Sequence, residues 1–127
     1  MKKNVLLVDD DKISNFINSK VLSRLGLVRE IHTAINGLDA LEHIKDQYKE
    51  GILEVIFVDL NMPVMDGFQF IEAFLKLDDA ITSKAKLVIV TSSEAIEDIR
   101  RAKQLGIKNY LIKPIQEEDV LRIFNQL

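Results

Sequence analysis

One hundred and twenty-seven residues suffice for one domain with a real core, and hydrophobic and charged shares of 47% and 29% belong to a folded chain, not a disordered one. Seventeen basic against twenty acidic residues leave a net charge of −3, without the basic footprint that direct nucleic-acid binding or an anionic membrane surface requires. The absence of cysteine excludes disulfides, thiolate nucleophiles and Cys-ligated zinc or iron–sulfur centres.

Val5-Leu6-Leu7-Val8 is a continuous apolar run that stops on acid, Asp9-Asp10-Asp11. A helix follows, with Asp11 or Asp10 as N-cap, Ile13, Phe16, Ile17, Val21 and Leu25 at helical spacing, and Gly26 at its end. Val28 to Ala34 mixes charge with β-branched residues and reads as an edge strand. Asn36-Gly37 opens a second helix with Leu41, Ile44 and Tyr48 inward and Gly51 closing it. Val55-Ile56-Phe57-Val58-Asp59 is a third strand ending on a carboxylate, and Asp66 caps a third helix with Phe68, Phe70, Ile71, Phe74 and Leu75 on a broad apolar face. Met62 and Met65 pack in the intervening loop or the core.

A polar connection, 78–86, leads to a fourth strand, Leu87-Val88-Ile89-Val90, ending in Thr91-Ser92-Ser93. Ile96, Ile99 and Ala102 mark the fourth helix, closed by Gly106, and the short fifth strand Tyr110-Leu111-Ile112 runs into Lys113-Pro114. The last helix carries Val120, Ile123, Phe124 and Leu127 at i, i+3, i+4, i+7, with Gln116, Glu117 and Glu118 at its start. Five strands alternating with five helices predict a three-layer, doubly wound α/β fold, a five-stranded parallel sheet in the flavodoxin-like order 2-1-3-4-5. Residues 1–127 are expected to form a single domain with no output domain, cytoplasmic because no apolar stretch is long enough for a signal peptide or a membrane span.

Parallel strands deliver their carboxyl ends to one edge, so Asp9-Asp10, Asp59, Thr91 and Lys113 should meet there. Taken singly, Asp59 reads as a turn cap, Thr91 as a strand-end hydrogen bond and Lys113 as a surface lysine. Together they are three carboxylates, a hydroxyl and an ammonium, each suited to phosphate and metal chemistry. Two carboxylates ~4 Å apart repel by about 4 kcal/mol at an effective dielectric of 20, which a divalent cation relieves. All-oxygen ligation favours Mg2+, with Mn2+ as the alternative. With Lys113 as a point charge and Thr91 as a hydroxyl donor, Asp59 on the central strand could attack phosphorus and be held as an acyl phosphate. His32 and His43 lack paired ligand spacing, and no glycine-rich phosphate loop follows a strand.

The set Val8-Asp9-Asp10-Asp11, Val58-Asp59-Leu60-Asn61-Met62-Pro63 with Asp66-Gly67, Val90-Thr91-Ser92 and Tyr110-Leu111-Ile112-Lys113-Pro114 resembles the receiver domain of two-component response regulators, over the whole chain. The resemblance implies a regulatory phosphoacceptor, not an enzyme with a turnover substrate. Asp59 would take a phosphoryl group from the phosphohistidine of a histidine kinase or histidine phosphotransfer protein, in a two-component system or phosphorelay. It implies magnesium held by Asp9, Asp10, Asp59 and the main-chain carbonyl of Asn61, a phosphoryl contact from Lys113, and a switch in which Thr91 moves and Tyr110 changes rotamer. Asn61 and Ser93 fall at the positions that tune phosphoryl lifetime; Ser93, being short and uncharged, is not expected to dominate autodephosphorylation, and it reads equally well as an N-cap. A phosphorylation-dependent output protein is expected on the face of the fourth helix, fifth strand and last helix, through Arg100, Arg101, Lys103, Gln104, Lys108, Asn109 and Gln116, which read equally well as a solvated surface. The chain itself would be a monomer or a phosphorylation-driven dimer. Two other readings compete: a haloacid-dehalogenase-like aspartyl-phosphate hydrolase, which Asn61 disfavours because an amide cannot serve as general acid, and a receiver-like scaffold that is never phosphorylated.

Overall fold

The computed structural model describes residues 2–48 and 53–127. Strands β1 (Lys3–Val8), β2 (Val28–Ala34), β3 (Leu53–Val58), β4 (Lys86–Thr91) and β5 (Asn109–Ile112) form one sheet in the order β2-β1-β3-β4-β5, every neighbouring pair parallel. The helices are α1 (Lys12–Arg24), α2 (Gly37–Tyr48), α3 (Gly67–Leu75), α4 (Asp79–Thr82), α5 (Ile96–Gln104) and α6 (Glu117–Asn125). The flavodoxin-like order expected from the alternation is therefore present. So is an extra helix, α4, a single turn capped by Asp78 inside what reads as a polar connection. One turn is too short to leave a periodic signal.

The inner strands β1, β3 and β4 are apolar over most of their length because both faces are covered, whereas the edge strand β2 carries Arg29, Glu30 and His32. Leu6, Val8, Ile56, Val58 and Ile89 point to one face, where Ala40, Ile44, Phe70, Ile71, Phe74 and Ala102 of α2, α3 and α5 pack on them, and Met62 and Met65 join that layer. Val5, Leu7, Val55, Phe57, Val88 and Val90 point to the other, against Leu22 of α1 and Val120 and Ile123 of α6. Side chains set the starts of α1, α2 and α3: Asp11 accepts from the Ile13 and Ser14 N–H groups, Asn36 from the Asp39 N–H, and Asp66 forms a reciprocal capping box with Gln69. Gly26 and Gly106, at φ +68° and +83°, end α1 and α5 in the left-handed region that suits glycine.

Several expected core positions face outwards. On α1, Val21 and Leu25 pack against the core, but Ile13, Phe16 and Ile17 are exposed, and the buried positions are Asn15, Asn18 and Leu22. The first turns of α1 rise beside the acidic edge of the sheet, so the side facing inwards there meets polar groups. Ile96 and Ile99 of α5, Leu75 at the end of α3 and Leu127 are also exposed, and Phe124 is half-buried. The Tyr48 side chain and Gly51 lie outside the described residues.

Candidate functional site

In the ladder Val8 pairs with Val58 and Thr91 with Ile112, so the next residues, Asp9, Asp59 and Lys113, converge with Thr91 at one edge. Main-chain bonds lock this register: the Asp59 N–H donates to the Val8 carbonyl at 2.9 Å and the Lys113 N–H to the Thr91 carbonyl at 2.9 Å. Gly67 lies against the acid from behind; a Cβ there would sit 2.3 Å from the Asp59 carbonyl oxygen, so only glycine lets α3 start so close to the strand end.

Asp9 and Asp59 are 4% and 7% exposed, whereas Asp10 is open to solvent. Each offers a carboxylate oxygen within 4.8 Å of the others, and among the described residues this is the one group of three or more such side chains able to converge on an ion. His32 and His43 lie with ring centroids 6.4 Å apart but pair with Glu30 and Asp39, and they gather no third ligand. Lys113 bridges the acids, its Nζ donating to Asp9 Oδ2 at 2.6 Å, Asp59 Oδ2 at 3.1 Å and Ser14 Oγ at 3.4 Å. Asp59 Oδ1 also accepts from the Asn61 N–H at 3.4 Å. Burial pushes the Asp9 carboxyl above its ordinary value despite the bonds from Lys113 and the Asp11 N–H. For Lys113 the balance runs the other way: burial opposes the charge, but hydrogen bonds to Asp9 and Asp59 outweigh it and hold the ammonium above its ordinary value.

Thr91 is fully buried, its Oγ1 accepting from the Ser93 N–H at 3.3 Å. The Ser93 hydroxyl donates to Asp98 Oδ2 at 2.6 Å and accepts from the Ala95 N–H at 3.3 Å. Ser93 is thus not the N-cap, which is Ala95, but ties the β4–α5 loop to α5 one step upstream. Tyr110 is half-buried with its hydroxyl donating to the Ser93 carbonyl at 2.9 Å, and burial, with the Asp98 and Asp59 charges adding, raises its phenol. Thr91, Ser93, Asp98 and Tyr110 therefore form one hydrogen-bonded path from the acidic edge to α5 and β5.

Ser14 and Asp98 belong to this arrangement without any mark in the sequence, since each is recognised only by what the fold brings to it. Of the expected output face, Arg100, Lys103, Gln104, Lys108 and Gln116 are exposed. Arg101 donates to Glu72 at 2.9 Å and lies over the Phe68 ring. Asn109 is buried, accepting from Arg122, and so leaves that surface. Ile96, Ile99, Ile112 and Leu121 are exposed on the same elements.

The family model for the response regulator receiver domain matches residues 5–125. Protein PilG of Pseudomonas aeruginosa is 32% identical over 92% of this chain and 81% of its own length; chemotaxis protein CheY of Treponema pallidum is 32% identical over 92% and 76%. The chain spans only 3% of hybrid signal transduction histidine kinase G of Dictyostelium discoideum, 28% identical over 96% of this chain. A crystal structure of a two-component response regulator from Cytophaga hutchinsonii superposes with a TM-score of 0.91 at 27% identity, covering 99% of this chain and 97% of that one.

Proposed function

Because the chain belongs to the response regulator receiver domain family, whose members are phosphoaccepting signalling switches, we propose that Asp59 is its phosphoacceptor and that Lys113, Thr91 and Tyr110 carry the response. One observation supports this above the others: Asp59 is a buried carboxylate on the central strand that shares the Lys113 ammonium with Asp9. An oxygen of Asp59 attacks the phosphorus of a phosphohistidine; the P–O bond forms as the P–N bond breaks, and the electron pair returns to the imidazole. Lys113, whose contacts are spent on Asp9, Asp59 and Ser14, turns a donor onto the phosphoryl oxygen and offsets the added charge.

The donor set of Asp9, Asp10 and Asp59 is all carboxylate oxygen and fits a hard divalent cation, magnesium first and manganese second. Those three and the Asn61 carbonyl would hold it. When bound it supplies Lewis-acid stabilisation of the phosphoryl oxygens.

Phosphorylation gives the Thr91 hydroxyl a new acceptor, drawing it from the Ser93 N–H and loosening the Ser93–Tyr110 link. The surface so modulated is α5, β5 and α6, where Ile96, Ile99, Ile112 and Leu121 lie among Arg100, Lys103, Lys108 and Gln116, and we assign it to the output protein. A charge reversal at Arg100 or Lys108 should weaken output-protein binding that depends on phosphorylation; unchanged binding removes this surface from the reading. The donor, a histidine kinase or histidine phosphotransfer protein, must approach the opposite flank of the same edge, where Ile13, Phe16, Ile17 and Ile35 are exposed. No finding favours the hydrolase alternative, and Asn61 still withholds its general acid.

The test is incubation with magnesium and acetyl phosphate followed by intact mass. A labile phosphoryl adduct that Asp59→Asn abolishes is the expected result. An adduct that persists in Asp59→Asn moves the acceptor elsewhere, and no adduct at all restores the scaffold reading.

A further inference from the structure

The N-terminal turns of α1 place Phe16 and Ile17 outwards and the amides of Asn15 and Asn18 towards the sheet. Asn15 and Asn18 are 6% and 7% exposed, a burial that amides tolerate only with hydrogen-bond partners. Asn15 Nδ2 donates to the Asp9 carbonyl at 3.0 Å, but its Oδ1 meets no donor of the chain. The Asn18 side chain makes no hydrogen bond among the described residues.

Both line a cavity of about 10 Å³ shared with Asp9, Asp59 and four apolar strand residues. That volume is about the room of one water, and cavities of this size stay dry when apolar but hold water when two to four polar groups face them. We propose that Asn15 and Asn18 bind a single internal water beneath the acidic cluster, and that through it they act as positioning residues for Asp9 and Asp59. The hydrogen-bond inventory closes: the water donates to Asn15 Oδ1 and to one carboxylate, and accepts from Asn18 Nδ2. Amides suit the task because they add donors and acceptors without charge. A further carboxylate would add to the repulsion among the acids, and a lysine would compete with the cation.

The proposal rests on the reading that Asp9, Asp10 and Asp59 hold a divalent cation. Removing groups that hydrogen-bond to metal ligands lowers metal affinity by about 10–100-fold. Asn15→Leu and Asn18→Leu would fill the cavity with apolar volume, and Asn18→Ser would keep a hydroxyl and leave space for water. Magnesium titration by calorimetry, thermal unfolding without metal and a high-resolution crystal structure decide the matter together. We expect the water in the wild-type crystal, metal-free stability in the Leu variants equal or higher because apolar volume replaces a buried amide and its water, and a magnesium dissociation constant raised about tenfold. Asn18→Ser should recover most of the affinity. If the wild-type chain binds no magnesium, the cation reading falls and this one with it. If it binds magnesium and Asn18→Leu binds within about twofold of it, only the positioning role falls. A dry cavity in the wild-type crystal, or equal losses in Asn18→Leu and Asn18→Ser, also overturns the proposal. Should Asn15→Leu fail to fold, the two Asn18 variants carry the test.

Discussion

Ser93 shows how one side chain can be read in two ways from sequence and in a third from structure. By position it reads as one of the pair expected to tune phosphoryl lifetime, and by type as a good helix cap. Its hydroxyl is instead committed to Asp98 at 2.6 Å, while its main chain receives Tyr110 and approaches Thr91. A hydroxyl so engaged has no lone donor to orient an attacking water. Ser93→Ala should therefore change the lifetime of the Asp59 phosphoryl group by less than about tenfold, well below the 10²–10⁴ that a positioned proton-transfer group contributes. The same variant should lower stability by about 1 kcal/mol through the lost bonds to Asp98 and Ala95. Decay of the phosphorylated protein followed by intact mass, beside urea unfolding, checks both. Val64 is another residue whose meaning lies in the backbone: at φ +70°, with the Met65 N–H bonded to the Pro63 carbonyl, it tops a strained three-residue turn in the loop between β3 and α3, a poor place for a β-branched side chain. Nothing in the sequence pattern marks that conformation.

At the scale of elements, β3 and α1 explain why the site was legible and part of its setting was not. A strand buried on both faces writes itself as an unbroken apolar run, so the ends of β1, β3, β4 and β5, and with them Asp9, Asp59, Thr91 and Lys113, are legible in the sequence alone. Helix α1 is different: its second half and C-cap place apolar side chains, Val21, Leu22 and Leu25, against the core, whereas its first half meets the sheet through Asn15 and Asn18. Its first half stands beside the acids, where burial selects amides and leaves the apolar stripe of Ile13, Phe16 and Ile17 outside. Periodicity reports that a helix has an apolar face; it does not report whether that face meets the core or a partner. Phe16 lines a shallow cavity with Lys12, Thr33 and Ile35, on the flank proposed above for the phosphodonor. Phe16→Glu should accordingly slow phosphotransfer from the cognate histidine protein about tenfold or more, the usual cost of an aromatic anchor, and leave labelling by acetyl phosphate unchanged. Equal slowing with both donors would mean that Phe16 supports the site itself.

Over the whole molecule, the acidic edge ties stability to pH, and a cation in the proposed site would act in the opposite sense. The folded chain raises the Asp9 pKa above 3.8, mainly by burial, and so binds that proton more tightly than the unfolded chain does. Without metal, the stability linked to Asp9 is fully present below 3.8 and is lost as pH rises through its raised folded value. Lys113 compensates across the neutral range: its folded pKa lies above 10.5, so its contribution is present below 10.5 and is lost only as pH rises through that higher value. A divalent cation at the proposed site would need Asp9 ionised and would stabilise the fold by RT ln(1 + [L]/Kd), about 2.7 kcal/mol at a hundredfold excess over Kd. The rise in Tm on adding saturating magnesium should therefore be small at acidic pH, grow through the window just above the ordinary aspartate range, and level off towards neutrality. Asp9→Asn should remove the metal-free pH dependence attached to this group, and with it most of the magnesium increment, because the cluster loses one of its two buried carboxylates. Differential scanning calorimetry from acid to neutral pH, with magnesium and with chelator, measures both curves. A magnesium increment that stays constant across that range would separate the cation from Asp9 and return the acid to a purely structural pairing with Lys113.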